Sequence, residues 1–162
     1  TQGTFSAANL KISSDSGALS FGADSEITLT HEADVGLKLK HTATGDDKPI
    51  VLTLQTGETD MAANDVMGAI RFQAPDEGTG TDAILVAAGI QAVAEGDFSS
   101  SNNATTLEFH TGASEAAAKK MALSSTGVLT LSGSSGAVVI PNDGTIGSAS
   151  DTDAIAISSA GA

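Results

Sequence analysis

Three features of the sequence predict an all-β fold of short antiparallel strands. The first is periodicity. Over residues 68–131 apolar side chains recur at every second position: Ile70 and Phe72, then Ile84, Val86, Ala88, Ile90 and Ala92, then Leu107 and Phe109, Met121 and Leu123, Leu129 and Leu131. Period-two spacing sends alternate side chains to opposite faces of a pleated sheet. The second is what lies between these runs. Residues 75–82, 95–103 and 124–127 are rich in Gly, Pro, Asp, Asn and Ser, so the whole reads as an antiparallel meander of about five strands. The third is a poverty of rings. There is no Trp, no Tyr and five Phe, and Leu, Ile, Val and Phe together make 35 of 162 residues. Aromatic side chains supply about 150–250 Å² of burial each, so a private core is hard to build without them. Sustained alternation argues against a solvated coil. The expectation is a thin β structure that closes its interior against copies of itself, as an elongated, intertwined homotrimer.

Taken in order, residues 1–9 read as a polar connector, and Leu10 and Ile12 alternate in a short strand. Residues 13–17 turn the chain, Leu19 and Phe21 begin a strand, and 22–25 turn it again. Ile27, Leu29 and His31 then share one face, with Thr28 and Thr30 on the other, where Thr suits a strand surface. Val35, Leu37 and Leu39 alternate with Gly36, Lys38 and Lys40. These rungs make up an N-terminal segment over 1–45. A central module over 46–131 opens on the turn-rich 44–49, continues as a strand at 50–54, and passes through a loop or a frayed helical turn at 56–65. The one helix expected is short and lies at 114–121, where Ser114 could cap it, Glu115 sits near its positive end, and Lys119 and Lys120 sit near its negative end. Eight residues are marginal without packing, so a loop is the alternative. A C-terminal segment over 132–162 continues with short strands at 138–140 and 154–157. Three stretches share one grammar, an apolar residue followed by SerSer and a Gly-containing turn, starting at Ile12, Leu123 and Ile157. Their irregular spacing excludes a regular solenoid. The chain starts at Thr1 and stops inside this grammar, which reads as a piece of a longer polypeptide or a processed product.

The runs GAIRFQAPDEGTGTD, IQAVAEGDFSSSNNATTLEFHTGAS and KKMALSSTGVLTL resemble a module of bacteriophage tail fibres and tailspikes. The shared pattern is a Gly-x-Ile-x-Phe strand, an Ala-Val-Ala-Glu-Gly segment, a Leu-x-Phe-x-Thr strand and a Met-x-Leu-Ser-Ser-x-Gly close. GALSFGADSEITLTHEADVGLKL resembles a second segment of phage structural proteins, particularly those of marine phages. The resemblance covers about residues 10–162 and is most specific over 66–131. It implies a virion structural protein, part of a tail or surface appendage in the extracellular medium, that holds or forms the host-attachment apparatus. Its implied partners are sister copies, other tail proteins, and a host-surface glycan or protein. A receptor- or glycan-binding tip, a capsid-decorating fibre and a bacterial adhesin stalk are the alternatives.

The formal charge is −13, from 20 acids against 7 bases. Such a surface repels nucleic-acid phosphates and anionic membranes. It also keeps exposed strand edges from pairing indiscriminately. There is no cysteine, so disulfides and thiolate metal sites are excluded. No apolar run approaches the ~18–20 residues of a membrane helix.

No nucleophile–base–acid set is visible, and no Ser sits in a Gly-x-Ser-x-Gly elbow. His31, His41 and His110 form no short-spaced pair; each reads as a strand-face residue, although one His per chain meeting on a threefold axis could hold an ion. Asp46 and Asp47, Asp76 and Glu77 with Asp82, and Asp151 with Asp153 all fall in turns and match no calcium-loop grammar. A depolymerase would pair carboxylates in a groove floored by aromatic sugar platforms, which this chain lacks. The sequence therefore designates no catalytic, cofactor or metal residue and no cofactor. The loops at 74–83 and 95–104 would carry any receptor contacts, but they lack the Trp, Tyr and Arg of binding hot spots.

Overall fold

The computed structural model describes residues 11–75, 78, 80–133, 137–141, 145–147, 150 and 155–156. The chain divides into two compact units, Thr1–Thr53 and Leu54–Ala162.

In the first unit, strands β1 (Ala18–Phe21), β2 (Ile27–Glu32) and β3 (Gly36–His41) form an antiparallel sheet in that order. Its turns are where Gly, Asp and Ser place them. The Ser25 amide donates to the Gly22 carbonyl with Gly22 at φ 91°. The β2–β3 hairpin closes through Val35 N–H to Glu32 O at 3.0 Å, with Asp34 left-handed at φ 60°. Leu19 faces Leu29 and Leu39 across the ladder, Phe21 faces Ile27, and Thr28 faces Lys40. One face thus carries Leu19, Phe21, Ile27, Leu29, Leu37 and Leu39, while the other carries Ser, Thr, Lys and Glu.

In the second unit, β4 (Val66–Gln73), β5 (Val86–Ala94), β6 (Thr105–Thr111), β7 (Ala118–Leu123) and β8 (Leu129–Leu131) make a five-stranded sheet in sequence order. This is the meander that the alternation predicts. A 3-10 turn, Asp82–Ile84, precedes β5, and the Gln73 side-chain amide donates to its Ile84 carbonyl. Strands β9 (Thr145–Ile146) and β10 (Ile155–Ala156) pair as a two-residue ladder. The β4–β8 register sets Ile70 beside Ile90, Ile90 beside Phe109, Phe109 beside Met121 and Met121 beside Leu131. The opposite face carries Ala69, Arg71, Gly89, Gln91, Glu108, His110 and Ala122.

Several expected elements take other forms. Residues 114–121 are not a helix: the chain bends at 113–116 and enters β7 at Ala118. Ladder bonds to β6 and β8 satisfy this backbone, whereas an eight-residue helix would have only its own few. Residues 50–54 and 138–140 are apolar but form no strand and belong to none of the sheets. Lys11 and Ile12 are likewise irregular, and Leu10 lies outside the described residues. Of the run at 154–157, Ile155 and Ala156 are in β10, and the two flanking residues lie outside the described set.

Burial inverts the usual order. Among the described residues only Ala94, Ala122 and Glu108 are buried, and no large side chain is fully enclosed. Glu108 is 7% exposed, while Ile70, Phe72 and Leu129 are 48%, 56% and 60% exposed. Among the described residues a carboxylate is covered more completely than any leucine.

Candidate functional site

The apolar side of the five-stranded sheet is the most conspicuous surface. Ile70 and Phe72 on β4, Leu107 on β6, Leu123 on β7, and Leu129 and Leu131 on β8 all point to it, and all are exposed. Ala88, Ala92 and Gly68 share this face, so the strand backbones lie close to whatever packs there. Part of residues 50–54 reaches it: a Cβ built on Gly68 would come within 3.0 Å of the Leu54 Cβ. Gly68 is thus a glycine because Leu54 occupies its side-chain space. The first unit repeats the pattern, with Leu19, Phe21, Leu37 and Leu39 exposed on one side of its three-stranded sheet.

On the opposite face of β4–β8 a carboxylate is held by three donors. Lys119 Nζ donates to Glu108 Oε1 at 2.8 Å. Gln91 Nε2 donates to Oε2 at 3.0 Å, and His110 Nε2 lies 3.0 Å from the same oxygen. Burial pushes the Glu108 carboxyl up, but Lys119, His110 and Gln91 together outweigh it and hold it below the ordinary carboxylate range. A β-bulge makes the Lys119 bond possible. Phe109 pairs with Met121 but His110 pairs with Lys119, so Lys120 is an extra residue in β7. In a regular strand Lys119 would share the face of Met121 and Leu123; the bulge re-aims it at Glu108.

A second carboxylate ties loops together. Glu95, at the end of β5, accepts from the Ser125 amide at 2.8 Å, the Ser125 hydroxyl at 2.6 Å and the Thr106 hydroxyl at 2.7 Å. The Ser125 hydroxyl, the Ser125 amide and Thr106 hold its carboxyl below the ordinary range. The β7–β8 turn is thereby fastened to the β5–β6 loop. Within that loop Asn102 Nδ2 donates to Asp97 O at 2.7 Å and Ser99 N–H to Asn102 O at 2.9 Å, and Phe98 N–H ties it to Met61 O at 2.9 Å.

A cleft of about 310 Å³ opens on the polar face beside Glu108. Its floor is Ala69, Arg71, Gly89, Gln91 and His110 from β4, β5 and β6. One wall is the β6–β7 connection, Ala116 and Ala117, folded back where the Ala117 amide donates to Val86 O at 2.8 Å. Gly89 opens the floor: a Cβ there would lie 3.1 Å from Ile70 O and 3.9 Å from Arg71 Cγ. The side chain of Arg71, the chain's sole arginine, makes no ion pair or hydrogen bond among the described residues.

The residues singled out from sequence are scattered. His110 joins the Glu108 cluster, whereas His31 and His41 occupy opposite ends of the apolar side of the first sheet. His41 Nδ1 accepts from the Ala43 amide at 3.2 Å. Asp46 accepts from the Asp47 amide at 3.0 Å, with Asp47 left-handed, as turn residues do. Asp82 opens the 3-10 turn. Asp76, Glu77, Asp151 and Asp153 lie outside the described residues. Among the described residues no three His, Asp or Glu side chains converge into a metal-holding group, and no helix is long and apolar enough to cross a membrane. Sequence reading passed over Glu95, Glu108 and Arg71. The signal for Glu108 was present as a charged residue at a central position of an alternating strand, next but one to His110. No known protein family, curated protein or solved structure matches the chain.

Proposed function

We propose that this protein is a non-enzymatic structural component of a virion appendage, part of a phage tail fibre, and that it assembles with copies of itself through the apolar faces of its sheets. The observation that carries the assembly is the inverted burial: every large apolar side chain of β4–β8 remains partly or largely exposed in the single chain. The fibre reading draws on the resemblance of the 68–131 motifs to tail-fibre modules, which a strand-rich, ring-poor chain fits.

Magnitudes favour the use of both sheets. Five strands at about 4.8 Å spacing and roughly 20 Å length present about 500 Å², and the three-stranded sheet about 300 Å². Each alone is below the roughly 800 Å² per partner of a stable interface, so the apolar face of each would have to contribute. Threefold packing places the polar faces, with the Glu108 cluster, outward. Sedimentation velocity on the chain tests this. The expected result is a trimer that Phe72→Lys or Leu129→Lys dissociates. A well-folded monomer at every concentration refutes the assembly and the fibre role together.

A further inference from the structure

We infer that the cleft between Arg71, Gly89, Gln91 and His110 is a binding site for an acidic sugar, a ligand with one carboxylate on a hydroxylated ring. Three features of the chain point there. First, Arg71 lines the cleft, and its side chain makes no ion pair or hydrogen bond among the described residues, in a protein of net charge −13. A guanidinium fork matches a carboxylate in two parallel hydrogen bonds. Second, the neighbouring polar groups are half-used in one sense. Gln91 and His110 both spend an N–H on Glu108, leaving Gln91 Oε1 and, in the neutral ring, His110 Nδ1 as acceptors. Acceptors beside a lone cation suit hydroxyl donors on the same ligand, and Glu108 with Lys119 fixes both in place from behind. Third, the space fits. The cleft's 310 Å³ lies at the small end of ligand pockets, about 300–1,000 Å³, enough for one sugar ring against Val86, Ala116 and Ala117. Gly89 keeps it open.

No Phe, Tyr or Trp lines the cleft, so a single site binds weakly, with a Kd of about 1–10 mM, or roughly −3 to −4 kcal/mol. Repetition of the site across an assembly raises the apparent affinity without new contacts. This inference does not depend on the fibre role, since every residue of the cleft belongs to one chain and one unit.

The test is a titration of the isotope-labelled chain with D-glucuronate, D-glucose and acetate, followed by NMR shifts of the His110 ring and the Gln91 side-chain amide. The expected result is saturable movement with glucuronate, none with glucose, and weaker binding of acetate. Arg71→Gln, at an exposed position, should weaken glucuronate at least tenfold with the fold intact by circular dichroism. Gly89→Ala should weaken it by filling the floor. Absence of saturation with glucuronate, equal binding of glucose, equal binding of acetate, or indifference to Arg71→Gln overturns the assignment. Sedimentation of the same samples reads self-assembly separately, so the two proposals fail independently.

Discussion

Glu108 shows how one carboxylate is made compatible with burial. Its three donors replace the water it loses; a hydrogen bond to a charged group contributes about 1.5–3 kcal/mol, and less where the partner is exposed to water, as Lys119 is. Glu108→Gln puts an amide N–H against donors, so we predict a loss of about 1–3 kcal/mol in urea unfolding. Of the adjacent lysines only Lys119 reaches Glu108. Lys119 is half exposed, so Lys119→Ala should cost about 1 kcal/mol, and Lys120→Ala less than about 0.5 kcal/mol. An equal effect of the two would contradict the bulge. Glu95 and Glu108 are both held below their ordinary value of 4.5. A depressed folded pKa contributes stability that is full above the unfolded value and is lost as pH falls through the folded one. Stability should therefore be flat above about pH 5 and decline on acidification below 4.5, with Glu108→Gln shallowing that decline in a pH series of unfolding midpoints.

At the scale of the element, strand identity was set by alternation and the turns by a few permissive residues. The β2–β3 hairpin requires a left-handed residue, and Asp34 accepts it because its short polar side chain tolerates φ 60°. Asp34→Gly should leave the hairpin as stable or slightly more so, while Asp34→Val should cost about 1–2 kcal/mol, read as faster amide exchange at Val35. The segment 114–121 shows where local signals mislead. Ser114, Glu115, three alanines and two lysines satisfy the capping, propensity and end-charge rules of a helix, yet Ala118–Leu123 is a strand. Its own sequence could not report that β6 and β8 stand ready on either side. The apolar runs at 50–54 and 138–140 err in the other direction, since they belong to none of the sheets.

For the whole molecule, what matters is which side of each sheet finds cover. The three- and five-stranded sheets each carry one apolar side, and among the described residues the large side chains there stay partly or largely exposed. If sister copies close them, the thermal midpoint must rise with protein concentration, because mass action favours the assembled fold. Phe72→Lys should abolish that dependence while leaving the Glu108 cluster intact, as judged by the His110 ring resonance. A concentration-independent midpoint in the unaltered chain would remove the assembly.

Alternation in Ile70–Phe72, Ile90–Ala92 and Phe109–Leu107, separated by Gly- and Asn-rich gaps, determined by itself that this chain forms an antiparallel meander with one apolar side. The period of two is a local property, and each strand carries it independently. Only the tertiary structure decided that Lys119 joins Glu108, that Glu95 clasps Ser125, and that Arg71, Gly89 and His110 line one cleft. Those pairings depend on register, and a single extra residue in β7 exchanges the faces of everything beyond it, which no count along one strand reveals.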